Sequence, residues 1–554
     1  VIESQAEQAL RPLYKPWEEP TAHRQRAEGK KDGRRSSTVV PGRRQSKVEI
    51  VRQLRHEVGM WRRNLYCGAS DTTRTLLNFW FESAHTNDFR YHFCQREAVE
   101  TIIWLYEVAG YRSLSSMYSS LFDDDNTPFP LESIFPEEDL WARYCSKAAT
   151  GAGKSLIMSL CIVWSYFHKR FEPESALAQH FLVVAPNIIV FERLKDDFEN
   201  NNVFHSLPLV PREWKGDFRL QVVMQDEPGG SASDGVLYLT NIHRLYEKAK
   251  ETKISPSWLG PSVKSSTPLA VGQLLRERIA SHPSILVLND EAHHLHDPGS
   301  AWNDAIQSLH HQSRSLGNGG IAAQLDFSAT PKDEKGRLFR HIVSDFPLGE
   351  AVDGGITKVP SIGRSSEIKE RTADNAAQRF AVHLKFGYKQ YESAYEEWSA
   401  TRKPILFVMT ENTEASNEIA AALDSDEYPI LKGRVINLHT KLKGKVKKHK
   451  DGKSEFVADE KGMSYEDMRE IRQLSRDLDK VDSPYRCVVS VLMLREGWDV
   501  KNVTTIVPLR PYSADSGILA EQTLGRGLRR MTAPGTALER VTVVEHPAFA
   551  ELYD

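Results

Sequence analysis

Cysteine is scarce in this chain and poorly placed for chemistry. Five are scattered through 554 residues, at Cys67, Cys94, Cys145, Cys161 and Cys487, and no two form a C-x-x-C pair. An odd, unclustered set argues against a disulfide framework and against a zinc ribbon, and it favours a reducing compartment; a cytoplasmic location is the expectation. Also missing are an apolar run long enough to span a bilayer and a signal-peptide pattern, so no membrane partner is expected. Neither sign of charge dominates, the formal net charge being -3. A chain without a global basic signature has to bind nucleic acid, if at all, through a local patch. Internal repeats are lacking too. What is left, 40% hydrophobic and 27% charged residues, is an ordinary globular balance, and the length predicts three or four domains.

Against that background one string stands apart, KAATGAGKS at Lys147 to Ser155. Gly151 and Gly153 lack a side chain, so backbone N–H groups can turn inward and cradle phosphate oxygens. Lys154 can reach the β- and γ-phosphates and the Ser155 hydroxyl can ligate Mg²⁺, with Thr150 and Ala152 completing the loop. The flanks supply the required context. Trp141 to Lys147 alternates roughly as a strand does, and LIMSLCIVWSYF reads as a helix whose positive N-terminus favours an anion. Ala148 stands where such loops usually carry their first glycine. ATP and Mg²⁺ are the expected cofactors.

A second half-site lies downstream. Ser284 to Asn289 (SILVLN) is a continuous apolar run, as expected of a buried parallel strand. It ends in Asp290-Glu291-Ala292-His293. Asp290, at the strand's end, would hold Mg²⁺ through water, and Glu291 would orient and deprotonate the attacking water. Phosphoryl transfer needs positioning and charge neutralisation more than covalent chemistry, so paired carboxylates of this kind suit it. The histidines at 293, 294 and 296 match no standard zinc ligand set. Strand-then-polar segments recur at FLVVAPN, ending in Asn187, at LYLTN, with Thr240 and Asn241, and at KPILFVMT, ending in Thr410. LDFSATP carries Ser328 and Thr330, REGWDV carries Gly497 and Asp499, and QTLGRGLRR sets Gln522, Arg526 and Arg529 on one predicted helix. Arg526 and Arg529, three apart, share a face there.

Taken in this order, from about Phe89 to Arg530, the strings resemble superfamily 2 DEAH-box helicases and translocases. More narrowly they resemble the helicase subunit of type III restriction enzymes, on the DEAHH run, LGEAVDGGITKVP (Leu348 to Pro360), and REGWD with QTLGRGLRR. The resemblance implies roles. Gln95, in FRYHFCQREAVETIIWLYE, would read the adenine edge through its amide, and Gly497 and Asp499 would join the nucleotide contacts. His293, Ser328 and Thr330 would couple the ATP site to the nucleic-acid site. Gln522, Arg526 and Arg529 would reach across from a second lobe to the γ-phosphate, where planar guanidinium forks suit phosphate. Asn187, Thr240, Asn241 and Thr410 would touch a nucleic-acid backbone. DNA is the expected partner, as duplex, with a methyltransferase or another defence-system subunit as a second.

The expected fold is α/β: two RecA-like lobes with parallel sheets flanked by helices, plus a helical and basic N-terminal extension. Residues 1–87 read as that extension, 88–347 as the ATP-binding lobe, 348–402 as a connector and 403–554 as the second lobe. Within the extension, Thr21 to Lys47 is strongly basic and reads equally as a nucleic-acid arm or a solvated segment. Lys47 to Arg63 patterns as an amphipathic helix. Inside the second lobe lies a lysine-rich insertion, 441–453, whose Lys445, Lys447 and Lys448 are candidates for DNA phosphate contact. Asp353 followed by Glu367 and Lys369 mimics a nuclease signature, but it falls in a segment the helicase resemblance already covers. The chain is therefore expected to translocate or unwind without carrying a nuclease, and to be part of a longer protein. A nucleic-acid-gated ATPase switch and an RNA helicase stay open as other readings.

Overall fold

Apolar strand runs and amphipathic helices alternate along the chain, and in the computed structural model they assemble into two parallel sheets flanked by helices. The structure describes residues 11–26, 37–123, 126–186, 188–225, 227, 234–242, 245, 275–294, 301–333, 336–363, 370–438, 444–448, 454–458, 477–491, 500–509, 525, 527–536 and 538–544. The chain divides into two compact units. One comprises Gln45–Ala148 and Gly153–Phe346; the other comprises Val1–Arg44, Ala149–Ala152 and Pro347–Asp554.

The first unit holds seven strands: β3 (Ala142–Ala148), β4 (His180–Ala185), β5 (Gln221–Met224), β6 (Val236–Asn241), β7 (Ile285–Asp290), β8 (Ile321–Ser328) and β9 (Ile342–Phe346). Their order is β5-β6-β4-β7-β8-β3-β9, with every neighbouring pair parallel. Parallel strands buried on both faces read as unbroken apolar runs, which is why β4, β6 and β7 were visible as FLVVA, VLYL and ILVL. The helix Lys154–Phe171 follows β3 and is buried through most of its length, with Trp164, Tyr166 and Phe167 among the largest enclosed side chains. Ahead of the sheet, the helix Glu49–Arg63 buries Ile50, Val51, Leu54, Val58 and Trp61. It is tied inward by charge as well: the buried Glu100 carboxylate accepts from Arg62, Arg96 and the Tyr66 hydroxyl.

The second unit holds β10 (Val359–Gly363), β11 (Ile405–Met409), β12 (Val435–Asn437), β15 (Cys487–Ser490), β16 (Val503–Pro508) and β17 (Arg540–Val544). These form a parallel sheet in the order β10-β17-β16-β11-β15-β12. The fold is thus α/β, with two RecA-like lobes. Lys358, just ahead of β10, is wholly buried and donates from Nζ to the carbonyls of Lys501 and Val503 at 2.6 Å each. Burial pushes its amine down to about 8.

The basic N-terminal stretch has a use that neither sequence reading contained. Its strands β1 (Ala22–Arg26) and β2 (Ser37–Pro41) pair antiparallel. Arg24 and Arg44 pair with Asp353 at 2.9 and 3.7 Å, and Arg43 pairs with Glu350 at 3.0 Å. Both carboxylates, on the short helix Leu348–Asp353, are almost fully buried, at 1% and 2% exposure. Arg24 and Arg43 are therefore largely withdrawn from solvent, and Asp353 is held in an ion-pair cluster. Stranding one partner of a buried pair costs about 3–5 kcal/mol. Arg43→Met should lower the unfolding free energy by about that much, measured by urea denaturation; a loss under about 1 kcal/mol would mean that Glu350 finds another partner.

Candidate ATP site

The phosphate loop begins where β3 stops. Gly151 and Gly153 stand at φ 86 and 87, the left-handed region that glycine enters without steric cost. Gly153 caps the helix Lys154–Phe171 with no side chain covering the first-turn N–H groups. The start of an 18-residue helix with no side-chain cap, preceded by two left-handed glycines, fits a phosphate chain. A Cβ placed on Gly153 would lie 2.4 Å from Gln95 Nε2, so the loop also needs glycine to let Gln95 approach. Gln95 is the third residue of the helix Phe93–Ile103, and its Oε1 accepts the His92 N–H at 2.9 Å. That bond fixes the amide above the loop. His92, sealed at the same helix start, has its imidazole pushed down to about 4 by burial.

Strand β7 delivers the carboxylates. Asp290 is its last residue and is 1% exposed; Glu291 follows in a left-handed conformation, φ 48. A non-glycine residue held there costs about 1–2 kcal/mol. The turn sets Glu291 Oε1 3.3 Å from Lys154 Nζ and Oε2 3.7 Å from His293 Nδ1. The loop lysine and the carboxylate assigned as base are thus brought together. Burial raises the Asp290 carboxyl, and the nearby Arg193 and Lys154 charges oppose that rise. His293 Nδ1 lies 3.1 Å from Ser328 Oγ, which in turn accepts the Thr330 N–H at 3.1 Å. The chain Glu291–His293–Ser328–Thr330 therefore joins the ends of β7 and β8. Thr330 Oγ1 is buried with no hydrogen-bond partner among the described residues.

Two site residues escaped sequence reasoning. Arg193 forms an ion pair with Asp290, and Asp197, one turn later on the helix Ile188–Phe198, has its carboxyl raised by burial, a rise that the Arg193 charge opposes. The i, i+4 spacing of Arg193 and Asp197 was readable, but not what they face. A buried network missed in the same way braces the sheet below: Asp326 accepts from Asn289 Nδ2 at 2.7 Å and lies 2.8 Å from His341 Nε2.

The residues expected to touch nucleic acid are distributed differently. Thr240 is fully buried and donates to the Asn241 carbonyl at 3.1 Å; Asn241 is also buried. The Thr410 hydroxyl, likewise enclosed, donates to the Asn412 carbonyl at 3.3 Å and lies 3.4 Å from the Ser490 carbonyl. Both hydroxyls face the main chain. Lys445, Lys447 and Lys448 lie on β13 (Gly444–Lys448), which pairs antiparallel with β14 (Ser454–Ala458), Lys447 opposite Glu455. Arg529 is half-buried beside Leu528, whose carbonyl accepts the Lys358 N–H at 2.8 Å. Asn187, Gly497, Asp499, Gln522 and Arg526 lie outside the described residues.

Residues 89–333, somewhat under half of the chain, match the family model described as Type III restriction enzyme, res subunit. No curated protein matches. Among solved structures, the fragment of a putative HsdR subunit of a type I restriction enzyme from Vibrio vulnificus YJ016 has a TM-score of 0.46 at 11% identity, covering 94% of this chain and 73% of its own. S. cerevisiae Dbp5 bound to RNA and ADP BeF3 has a TM-score of 0.36 at 13% identity, covering 82% of this chain and 89% of its own. Over residues 89–333 the chain thus resembles the res subunit of type III restriction enzymes.

Proposed function

We propose that this chain is an ATP-driven motor that moves along or unwinds duplex DNA in a restriction-like or phage-defence system. The observation that carries the reading is the convergence of the glycine loop, Lys154, Asp290 and Glu291 on one end of one sheet. Thr150 to Gly153 cradle the phosphates through main-chain N–H groups, Lys154 neutralises their outer charge, and Gln95 faces the base. Magnesium, when bound, would be held by Ser155 and Asp290 and would supply neutralisation of the phosphate oxygens. Glu291 orients water and accepts its proton. Gln522, Arg526 and Arg529 answer the charge that develops on the transferring group, with Gly497 and Asp499 beside the nucleotide. His293, Ser328 and Thr330 pass the state of the site along the ends of β7 and β8. Triplex displacement tests the motor: ATP-dependent release of a third strand is expected, and ATP hydrolysis stimulated by duplex without displacement would make the chain a gated switch. Stronger stimulation by RNA than by duplex DNA would reverse the choice of nucleic acid.

Backbone contact carries no sequence information, so ATPase stimulation should vary little with DNA sequence and fall with salt. The β13–β14 hairpin is the candidate grip, together with Asn187 and Asn241. Replacing Lys445, Lys447 and Lys448 by Gln should weaken DNA binding evenly across sequences and flatten the slope of log affinity against log salt by up to about 0.9 per contact. An unchanged slope would assign the lysines to solvent.

A further inference from the structure

Residues Ala149–Ala152 of the phosphate loop group by contact with the second unit, not with the strand and helix on either side of them. Two glycines show what they meet there. A Cβ on Gly151 would lie 3.8 Å from Thr357 Cγ2, and one on Gly525 would lie 2.7 Å from Thr150 Oγ1. Gly525 belongs to the string QTLGRGLRR and Thr357 to LGEAVDGGITKVP. Both strings therefore abut the loop that cradles phosphate.

Thr357 is held there by its main chain. Its N–H donates to the Ala351 carbonyl at 3.3 Å, on the helix Leu348–Asp353, and the N–H of Lys358 after it donates to the Leu528 carbonyl at 2.8 Å. Leu528 is joined to Arg529, one of the arginines assigned to the γ-phosphate. The residue thus stands between the phosphate loop and the segment that carries Arg529. Its side chain is 1% exposed, yet Oγ1 has no hydrogen-bond partner among the described residues. A buried hydroxyl left unpaired costs free energy, and the great majority of such groups are paired. Packing alone does not call for it, since valine has the same shape. A hydroxyl has a proton to donate, and its hydrogen bond is strongest to a charged acceptor. Beside a loop built for phosphate, that acceptor is a phosphate oxygen.

We infer that Thr357 is a phosphate-contacting residue, its hydroxyl donating to the terminal phosphate of a bound nucleoside triphosphate. The terminal phosphate is the one singled out because Arg529 follows the carbonyl that holds the Thr357–Lys358 main chain. The string LGEAVDGGITKVP thereby gains a role at the nucleotide that its resemblance alone did not supply.

The inference rests on the ATP-site reading above, and the experiment separates the two. Equilibrium binding of a fluorescent, non-hydrolysable ATP analogue and of the matching ADP analogue is measured on the full chain with Mg²⁺. Wild type should bind both; if it does not bind the ATP analogue, the ATP-site reading fails and this inference falls with it. Thr357→Val exchanges the hydroxyl for a methyl. It should bind the ATP analogue about 10–100-fold more weakly, the range of a hydrogen bond to a charged group, with ADP-analogue affinity within twofold of wild type. The melting temperature of the nucleotide-free variant should hold or rise, because a buried unpaired hydroxyl is gone. Thr357→Ser keeps the donor and should bind both analogues as wild type does. If the valine variant does not fold, Thr357→Ala removes the same hydroxyl and carries the test. ATP-analogue affinity within twofold of wild type in the hydroxyl-free variant would overturn the inference and leave the ATP site standing. So would equal losses for the two analogues, the pattern of a residue that only shapes the loop.

Discussion

Glu291→Gln is expected to keep ATP binding and to lose turnover by about 10²–10⁴, the usual worth of a positioned general base. The substitution preserves size and leaves a carbonyl oxygen beside Lys154, so the contact seen at 3.3 Å keeps a hydrogen bond while losing its charge. What disappears is the ability to accept a proton from water. Lys154→Ala should differ in kind. Its ammonium is nearly buried at 9% exposure, and its removal takes away the phosphate contact and strands the charge of Glu291. Hydrolysis should become undetectable and nucleotide affinity should fall as well. Single-turnover hydrolysis beside equilibrium binding of a fluorescent nucleotide distinguishes the two patterns. A wild-type hydrolysis rate in Glu291→Gln would remove Glu291 from the base role, and the left-handed backbone at φ 48 would then need another reason.

The elements that could be read from sequence are those whose information is local. A buried parallel strand writes itself as an apolar run, so β4, β7 and β11 were placed within a residue or two, and the glycines of the phosphate loop announce positive φ by being glycines. The amphipathic helix Glu49–Arg63 was equally plain from its period. What escaped were partnerships between distant residues. Nothing near Arg24, Arg43 or Arg44 hints that their carboxylates wait more than 300 positions later, at Glu350 and Asp353. Local charge counting therefore saw only surplus base. Lys358 gave no signal either, because a lysine in a strand-like string reads as exposed, while its two carbonyl partners belong to residues 501 and 503.

Arg526→Ala is the substitution expected to separate catalysis from binding most widely. Arg526 itself lies outside the described residues, and Gly527 to Glu539 beyond it are tied down as follows, residue 537 excepted. Gly527 packs against Ile506 of β16, Leu528 is fully buried, and the Leu528 carbonyl takes the N–H of Lys358. Two residues further on, Arg530 pairs at 3.3 Å with Glu539, a carboxylate that also accepts the main-chain N–H groups of Met531 and Thr532. A group held in place stabilises developing charge without reorganising. An arginine used in that way contributes about 10³–10⁵ to turnover in other phosphate-transfer enzymes. Turnover of Arg526→Ala should fall on that scale, while the dissociation constant for ATP should move by less than about tenfold. Arg526→Lys should rescue little, since an ammonium cannot reproduce a planar fork. Equal losses in turnover and affinity would make Arg526 a ground-state phosphate contact, and the transition-state role would then pass to Arg529, the other arginine of the pair.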